Sequence, residues 1–435
     1  MLLVAAALLT VSMHSLRVVE TPDAPQPAPV AQAVYPAAAH DPDPAVAHGQ
    51  AFLDGLADAS PVALQSMQDD ARVLATALDT PPTALEVGTW WSALDDRERA
   101  VLERNAPVVV GNLDGVPYAV RDRANRAALA AGLADTSEAH PVTAMYGQVQ
   151  TSLEQQPGDP VKTLVTLDPR AGGRAAVAVG DLDTAADVTV VVPGMFFTVT
   201  GQLVDFTATA GDLYREQATL APVAAPAPGS GIAVVAWMGY QTPNLSNVLS
   251  LDLAHTGARR LERAVAGLRE VRAGQEPRIG IIAHSYGSTT ALLALSSGRM
   301  HVDNLTLLGS PGSRVATVGQ LAVPDDEVFV GGAHGDPVAG SGYFGVDPGA
   351  SGFGARLLDL TSTEVGAAGD LFRRPQGHND YLKPGTASLH DAALIAVGRG
   401  DLVRDARHGG GRGDGLAPAS PDMYLVRPQD LQPRE

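Results

Sequence analysis

The spacing of apolar residues divides the chain into two regions. From about residue 45 to residue 151, apolar positions recur at i, i+3 and i+4 with charged residues between them, as in AFLDGLADA, PVALQSMQDDARVLATAL and DDRERAVLERNA. This period predicts amphipathic helices. Between these segments and the helix-forming NRAALAAGLA, the turn residues Gly111 to Gly115 and a helix-opening Pro117 predict a reversal of the chain.

From about Val161 the pattern changes to short apolar runs rich in β-branched residues. VKTLVTLD and RAAVAVGDL, joined by PRAGGR, predict a β-hairpin. Later runs alternate with helical patterns such as the amphipathic LAHTGARRLERAVAGLREVR; the runs are VTVVVPG, GIAVVAWMGY, RIGIIAHS, NLTLLGSPG, EVFVGGAHGD and ARLLDLTS. Strands that are apolar on both faces and separated by helices predict a mostly parallel sheet covered on both sides. In such sheets, ligands bind beyond the carboxyl ends of the strands.

The two ends of the chain have a different composition. An apolar run, MLLVAAALLTVSM, precedes a Pro/Ala-rich linker, and the last residues are rich in glycine and proline. We therefore expect an apolar segment and linker over 1–45, a helical region over 46–158, an α/β domain over 159–406 and a disordered tail over 407–435. The apolar run raises export or membrane anchoring as a hypothesis, so a membrane or cell-envelope association and a cytoplasmic location both stay open.

Charge and composition exclude several classes of function. The 435 residues carry a net charge of −18 and include no cysteine. The acidic balance and the lack of any basic run argue against nucleic acid as a partner. The lack of cysteine excludes disulfides, thiolate nucleophiles and cysteine metal sites. No H-E-x-x-H, phosphate-binding loop or dinucleotide-binding glycine pattern occurs, so the sequence predicts neither a metal nor a cofactor.

One stretch, RIGIIAHSYGSTTALLAL, combines a strand, a serine and a helix. A serine in a tight strand-to-helix turn holds its hydroxyl out of the sheet edge, and the residues two before and two after it must be small. Ala283-His284-Ser285-Tyr286-Gly287 fits this nucleophile-elbow pattern with alanine in place of the first glycine. The alternative is a serine that only caps the helix.

A serine nucleophile needs a base and an acid that orients it, and in this fold order the acid and then the histidine follow the serine. Asp336 comes just after the strand EVFVGG, and His378 lies in the later loop RRPQGHNDYL. We therefore predict a triad of Ser285, Asp336 and His378. Other histidines and acids remain as alternatives: His284 and His334 as pocket or packing residues, His390 as a structural residue, and Asp347, Asp359, Asp370 and Asp380 as acids.

The loop after the first parallel strand is expected to complete the site. In VVVPGMFFTVTG, the amide of Met195 or of Phe196 would join that of Tyr286 in an oxyanion hole. Phe197, Tyr240 and His334 are candidates for lining a pocket whose apolar mouth suits an acyl chain or an aromatic group. The alternative for the Pro193-Gly194 turn is a plain strand end.

Taken together, these motifs resemble the α/β-hydrolases grouped as domain of unknown function 1023, found mainly in actinobacteria. The resemblance runs from about Trp90 to Leu402 and rests on Trp90-Trp91, GNLDGVPYAVRDRAN, VPGM, AWMGYQTP, AHSYGS, LGSPG, GDP and GHNDYL. That family usually has glycine at the position of Ala283 and serine at the position of Asn379. The resemblance implies an α/β-hydrolase fold and serine hydrolase chemistry, and it implies no particular substrate.

We therefore expect a serine hydrolase that cleaves a small-molecule carboxylic ester or a related acyl bond through an acyl-enzyme. Two alternatives remain open, an acyltransferase with the same triad and a non-catalytic surface binding or scaffold protein. For the helical region we consider two roles, a lid over the strand ends in which GNLDGVP reaches the pocket, or packing against the sheet.

Overall fold

The computed structural model describes residues 47–135, 140–221, 231–360 and 372–406. The expected apolar segment with its linker over 1–45 and the expected disordered tail over 407–435 lie outside these residues. Within the described part, no helix has both the length and the apolar character needed to cross a membrane.

A helical region precedes the sheet, as the apolar spacing predicts. Its described helices are α1 (Gln50–Asp58), α2 (Pro61–Met67), α3 (Ala71–Leu78), α4 (Ala84–Ala93), α5 (Asp96–Asn105), α6 (Pro107–Val110), α7 (Tyr118–Ala134) and α8 (His140–Ser152). Asp70 caps α3 and so divides PVALQSMQDDARVLATAL into two helices. Thr83 and Asp95 open α4 and α5 with capping boxes. The predicted reversal at Gly111 to Gly115 is present, and α7 begins directly after Pro117.

In the described part of the chain, eight strands form one sheet in the order β1-β2-β4-β3-β5-β6-β7-β8. They are β1 (Lys162–Asp168), β2 (Arg174–Gly180), β3 (Ala185–Val192), β4 (Gly231–Met238), β5 (Arg278–His284), β6 (Asn304–Leu308), β7 (Val328–Gly331) and β8 (Arg356–Leu357). The predicted hairpin is confirmed as the antiparallel pair β1 and β2. From β4 to β8 every pairing is parallel. The predicted α/β-hydrolase fold is therefore confirmed, although the run ARLLDLTS gives a strand of only two residues.

Helices cover both faces of the sheet. The helices α10 (Asp252–Val271) and α11 (Tyr286–Ser296) pack on one face, and α9 (Val199–Leu220) and α12 (Ala387–Ala396) on the other. Successive strand residues point to opposite faces, so Ile281 belongs to the first core and Ile282 to the second. This arrangement explains why the central strands carry apolar residues on both faces.

The helical region covers the outer edge of β1. The side chain of Asn112 accepts from the N–H of Leu167 at 3.0 Å and donates to its carbonyl at 2.9 Å. Asn125 donates to the carbonyl of Leu164, and the N–H of Leu164 donates to Asp122. An uncovered edge strand exposes such groups to other chains, so these side chains protect the sheet.

The segment GNLDGVP packs against the sheet domain, which is the second of the two roles considered. Its Asp114 pairs with Arg121 of α7 at 2.9 Å. Asp114 also lies against α10, where a Cβ added to Gly267 would come within 2.8 Å of it. Contacts with β1 and α10 therefore hold this turn.

Candidate active site

Ser285 lies in the turn between β5 and α11, at the carboxyl edge of the sheet. Its φ of 54° and ψ of −128° are values that a residue with a side chain rarely adopts. Its N–H donates to the carbonyl of Leu308 in β6 at 2.9 Å, and its carbonyl accepts from the hydroxyl of Ser288 at 2.6 Å. These bonds hold a strained turn with the geometry of a nucleophile elbow.

Two glycines let the chain pass close to this serine. A Cβ added to Gly287 would lie 2.5 Å from the carbonyl oxygen of Pro193. A Cβ added to Gly194 would lie 2.7 Å from the Cβ of Ser285. Because neither position has room for a side chain, the loop after β3 crosses directly over the serine. Ala283, which takes the place of the first glycine of the pattern, is fully buried in β5.

The side chains of Ser285, His378 and Asp336 form one chain of hydrogen bonds. Nε2 of His378 lies 2.7 Å from Oγ of Ser285, and Nδ1 of His378 lies 2.9 and 3.0 Å from the two carboxylate oxygens of Asp336. Asp336 follows β7, and His378 lies in the loop before α12. The fold therefore brings together the three side chains that the sequence analysis selected.

The carboxylate of Asp336 is buried and well provided with donors. It accepts from the N–H of Val338 at 2.8 Å and from the hydroxyl of Tyr381 at 2.6 Å. Burial alone would raise the pKa of Asp336, but the charge of His378 and these hydrogen bonds outweigh it and lower the pKa to about 2. Asp336 is therefore ionised at neutral pH and stabilises a positive charge on His378.

Tyr381 and Gly309 support this carboxylate, and neither residue was predicted from the sequence to do so. The Tyr381 hydroxyl donates to Asp336 and accepts from the N–H of Ala333 at 2.7 Å. Gly309 has a φ of 61°, and a Cβ there would lie 2.9 Å from Asp336 and 3.1 Å from His378. The only signals in the sequence were a glycine directly after a strand and a tyrosine three residues beyond His378.

His284 packs on His378, with their ring centroids 4.6 Å apart. Its Nε2–H donates to the carbonyl oxygen of His378 at 2.7 Å. Removal of the ring from solvent, followed by the charge of His378, lowers the pKa of His284 to about 3. The ring is therefore neutral at physiological pH. The sequence left packing and pocket lining open as roles for His284, and it gave no sign that His378 would be the packing partner.

The two alternatives for the second oxyanion amide differ in their hydrogen bonds. Phe196 has a φ of 67°, and its N–H donates to the carbonyl of Pro243 at 3.0 Å. Within the described residues, the N–H groups of Met195 and Tyr286 have no hydrogen-bond acceptor. The amide of Phe196 is thus already engaged, whereas those of Met195 and Tyr286 are available to a ligand.

The three candidate pocket residues occupy different environments. Phe197 is half-buried and packs edge-on against Phe206, with centroids 5.4 Å apart. Tyr240 lies in the core, stacked on Trp237, and its hydroxyl donates to the carbonyl of Pro193 at 2.7 Å. Tyr240 therefore fixes the loop over Ser285 instead of lining an opening.

The side chain of His334 is exposed, and its carbonyl accepts from the N–H of Gly377 in the loop that carries His378. Other rivals also have partners away from Ser285. Asp380 forms an ion pair with Arg373, and His390 donates from Nδ1 to Glu216 at 2.7 Å. Asp370 lies outside the described residues.

Comparison with protein families gives a match to a model described as "Alpha/beta hydrolase" over residues 168–346. An uncharacterized protein of Mycobacterium bovis is 32% identical over 198 residues, which are 45% of this chain and 68% of that protein. An uncharacterized protein of Mycobacterium tuberculosis H37Rv is 29% identical over 386 residues, 74% of this chain and 56% of that protein. The chain thus spans just over half the length of this longer relative.

Among solved structures, a dienelactone hydrolase from Anabaena variabilis is 15% identical, with a TM-score of 0.35, over 55% of this chain and 96% of that one. Carboxyl esterase 2 from Tuber melanosporum is 13% identical, also with a TM-score of 0.35, over 61% of this chain and 100% of that one. At these scores, the fold assignment rests on the strand order and the family match.

Proposed function

This chain belongs to the α/β-hydrolase family, and from that premise we propose that it is a serine hydrolase that cleaves carboxylic esters or related acyl bonds. One observation carries the proposal, the chain of hydrogen bonds from Asp336 through His378 to Ser285. A fold of this kind alone does not define an activity, because many functions share it. A strained serine within 2.7 Å of an imidazole nitrogen, with a buried carboxylate behind the ring, is suited to acyl transfer.

In the first step, Oγ of Ser285 attacks the carbonyl carbon of the substrate while Nε2 of His378 takes the hydroxyl proton. The imidazolium that forms is stabilised by Asp336, which holds Nδ1–H and so fixes the orientation of the ring. When the tetrahedral intermediate collapses, His378 returns the proton to the leaving alcohol and an acyl-enzyme remains. Water then attacks the acyl-enzyme by the same sequence of proton transfers, and the carboxylic acid leaves.

The negative charge on the carbonyl oxygen requires two donors. We assign this role to the N–H groups of Tyr286, at the first turn of α11, and Met195, in the loop that crosses the serine. Both lack an acceptor in the described part of the chain, and the N-terminus of α11 adds a favourable dipole. Phe196 is left out of this assignment because its N–H already donates to Pro243.

For the substrate, we propose a small-molecule ester with an apolar acyl group. Met195, Phe196 and Phe197 are half-buried in the loop over Ser285, so an acyl chain or an aromatic ring could cover them.

We also infer membership of the subgroup named domain of unknown function 1023, because its motifs AHSYGS, GDP and GHNDYL contain the three triad residues. We retain 46–158 and 159–406 as the proposed domain limits.

The decisive experiment combines a fluorophosphonate probe with Ser285→Ala. We expect the wild type to be labelled and to hydrolyse p-nitrophenyl esters, and the variant to lose both properties, with turnover reduced by on the order of 10^4 to 10^6. Ser296→Ala is the matched control, because this exposed serine lies at the far end of α11, and the variant should keep wild-type probe labelling at Ser285. Equal labelling of Ser285→Ala and wild type would contradict the assignment of the nucleophile.

A further inference from the structure

A pocket opens at the carboxyl edge of the sheet, beside β2 and β4. Its volume is about 210 Å³, and its walls include Asp79, Arg170, Arg174, Gln241, Thr256 and Arg260. None of these residues belongs to the hydrogen-bond chain of Ser285. The arginines come from two separate parts of the fold, the β1–β2 turn and α10, so the tertiary structure creates the cluster.

The pocket has more positive than negative groups. Three guanidinium groups, those of Arg170, Arg174 and Arg260, face two carboxylates, Asp79 and Asp168. Asp79 accepts from Arg260 at 2.7 Å and from Arg170 at 3.2 Å, which holds the side chains in place. Each guanidinium has five N–H donors, so donors remain after these bonds are counted.

A fourth arginine lies near these three on α10, outside the walls of the pocket. Arg263 lies one helical turn beyond Arg260 on α10, and within the described residues it makes no hydrogen bond or ion pair. Burial lowers the pKa of Arg263, while the charges of Asp114 and Asp79 oppose that effect. In a chain whose net charge is −18, a partly enclosed site with several arginines and too few carboxylates is suited to an anion.

One loop connects this pocket with the candidate active site. Gln241 lines the pocket, and the next two residues hold the loop over Ser285. Thr242 donates from its hydroxyl to the carbonyl of Phe197 at 2.7 Å, and the carbonyl of Pro243 accepts from Phe196. Three strand spacings separate β2 from β5, a distance of about 14 Å at the usual separation of neighbouring strands. An extended substrate arm is needed to cover that distance.

We propose that the arginine pocket binds an anionic group, a carboxylate or a phosphate, at the far end of the substrate that Ser285 attacks. This inference rests on the proposed function and narrows its substrate class to acyl esters that carry a remote anion. The arginines fix the remote end of the substrate, and the loop Gln241 to Pro243 lies between that end and the reacting carbonyl.

The test uses mono-p-nitrophenyl esters of adipic, dodecanedioic and tetradecanedioic acid, each compared with its neutral methyl-ester counterpart. We expect similar kcat/KM values for the adipate pair, since its carboxylate is too close to the carbonyl to reach the arginines. For the longer pairs we expect a preference for the free acid of about fivefold to tenfold that declines as salt is added. No preference at any length would overturn the proposal.

Gln241→Glu tests the location of the anion site, because it adds a carboxylate to the pocket without removing an ion pair. We expect the ratio of acid to methyl-ester kcat/KM to fall to about one. Gln156→Glu is the matched control: this exposed glutamine precedes β1 at the opposite edge of the sheet, so the same charge change should leave the ratio as in wild type. An unchanged ratio in Gln241→Glu would contradict the assignment.

Calorimetric binding of decanoate and of decyl phosphate to wild type and Ser285→Ala needs no turnover. If either anion binds and Gln241→Glu weakens that binding, the result supports the pocket. The anion that binds more tightly shows whether the pocket prefers a carboxylate or a phosphate. Failure of both to bind overturns it. Failure of the proposed function would be seen in a different measurement: ester hydrolysis would persist in Ser285→Ala.

Discussion

Nε2–H of His284 donates to the carbonyl oxygen of His378 at 2.7 Å, and the two rings lie 4.6 Å apart. The residue before the proposed nucleophile thus fixes the backbone of the proposed base. Because the pKa of His284 is lowered to about 3, its ring donates this hydrogen bond without adding a second positive charge beside His378. His284 is therefore a positioning residue in the proposed mechanism.

We expect His284→Phe to lower kcat/KM by on the order of tenfold, because a misplaced imidazole loses one well-formed hydrogen bond to the serine. His284→Gln retains a donor and should recover most of the activity. A pH profile of kcat/KM for His284→Phe separates a positioning role from instability. A folding defect alone lowers the whole profile without moving its midpoints, whereas a misplaced His378 shifts them. His334→Ala, at an exposed ring, is the control, and wild-type rates in His284→Phe would refute the role.

The lowered pKa of His284 also predicts a pH dependence of stability. Unfolded His284 binds a proton below its ordinary pKa of 6.5, whereas the folded residue stays neutral down to about 3. The contribution of His284 to stability is therefore lost as the pH falls from 6.5 towards 3, by up to about 2 kcal/mol at pH 5. Burial raises the pKa of Asp391 to about 7, so the contribution of Asp391 changes in the opposite direction. The stabilising contribution of Asp336, whose pKa is lowered from 3.8 to about 2, is lost only as the pH falls below about 5.

The measurement is the free energy of unfolding in urea at pH 7.5 and pH 5 for wild type and His284→Gln. We expect the change in unfolding free energy from pH 7.5 to pH 5 to be about 2 kcal/mol more negative in the wild type than in the variant, because glutamine does not titrate. An equal difference in both proteins would show that other groups cause the pH dependence.

Tyr381→Phe removes the hydroxyl that bridges Asp336 and the N–H of Ala333. We expect kcat/KM to fall about threefold to thirtyfold, because the carboxylate loses a donor and a buried N–H loses its acceptor. The assay is p-nitrophenyl ester hydrolysis, with thermal unfolding measured in parallel. Tyr343→Phe, at a half-exposed tyrosine, should behave as wild type. Full activity in Tyr381→Phe would mean that the other contacts suffice to hold Asp336.

The sequence predicts the parts of this site that depend on the ends of strands. Ser285 and Asp336 each follow an apolar run, and parallel strands bring their carboxyl ends to one edge. His378 was selected by its order in the chain and by its loop. These rules need only local pattern and fold class, which explains why all three side chains meet in the structure.

Other features depend on contacts between distant segments, which no local pattern reveals. The N–H of Phe196 donates to the carbonyl of Pro243, so Phe196 is removed from the oxyanion assignment. The hydroxyl of Tyr240 donates to the carbonyl of Pro193, so Tyr240 is removed from the pocket. The orientation of Tyr381 likewise depends on a distant segment, because its hydroxyl accepts from the N–H of Ala333, just after β7. The arginine pocket joins residues more than 80 positions apart along the chain, such as Arg174 and Arg260.

Gly287→Ala should destabilise the protein, because the added methyl group would meet the carbonyl oxygen of Pro193 at 2.5 Å and neither backbone segment can move freely. We expect a loss of about 1 to 3 kcal/mol, as in other overpacked sites, together with a loss of activity. Ala283→Gly is the matched control on the other side of Ser285, where a methyl group is already accommodated. A Gly287→Ala protein with the wild-type melting temperature would refute the predicted steric conflict.

The helical region covers the outer edge of β1, and we expect the sheet to need this cover to stay soluble. Asn112, Asp122 and Asn125 bond the outward backbone groups of β1, and a chain that starts at Val161 leaves those groups exposed. We therefore expect the truncated protein to aggregate through this edge, as size-exclusion chromatography and light scattering would show. In the full chain, Asn125→Ala should lower the free energy of unfolding by about 1 to 3 kcal/mol, because the buried carbonyl of Leu164 loses its donor. Gln156→Ala, at an exposed side chain, is its control. A monomeric and active fragment from Val161 onward would show that the edge needs no cover, and the helical region would then require another explanation.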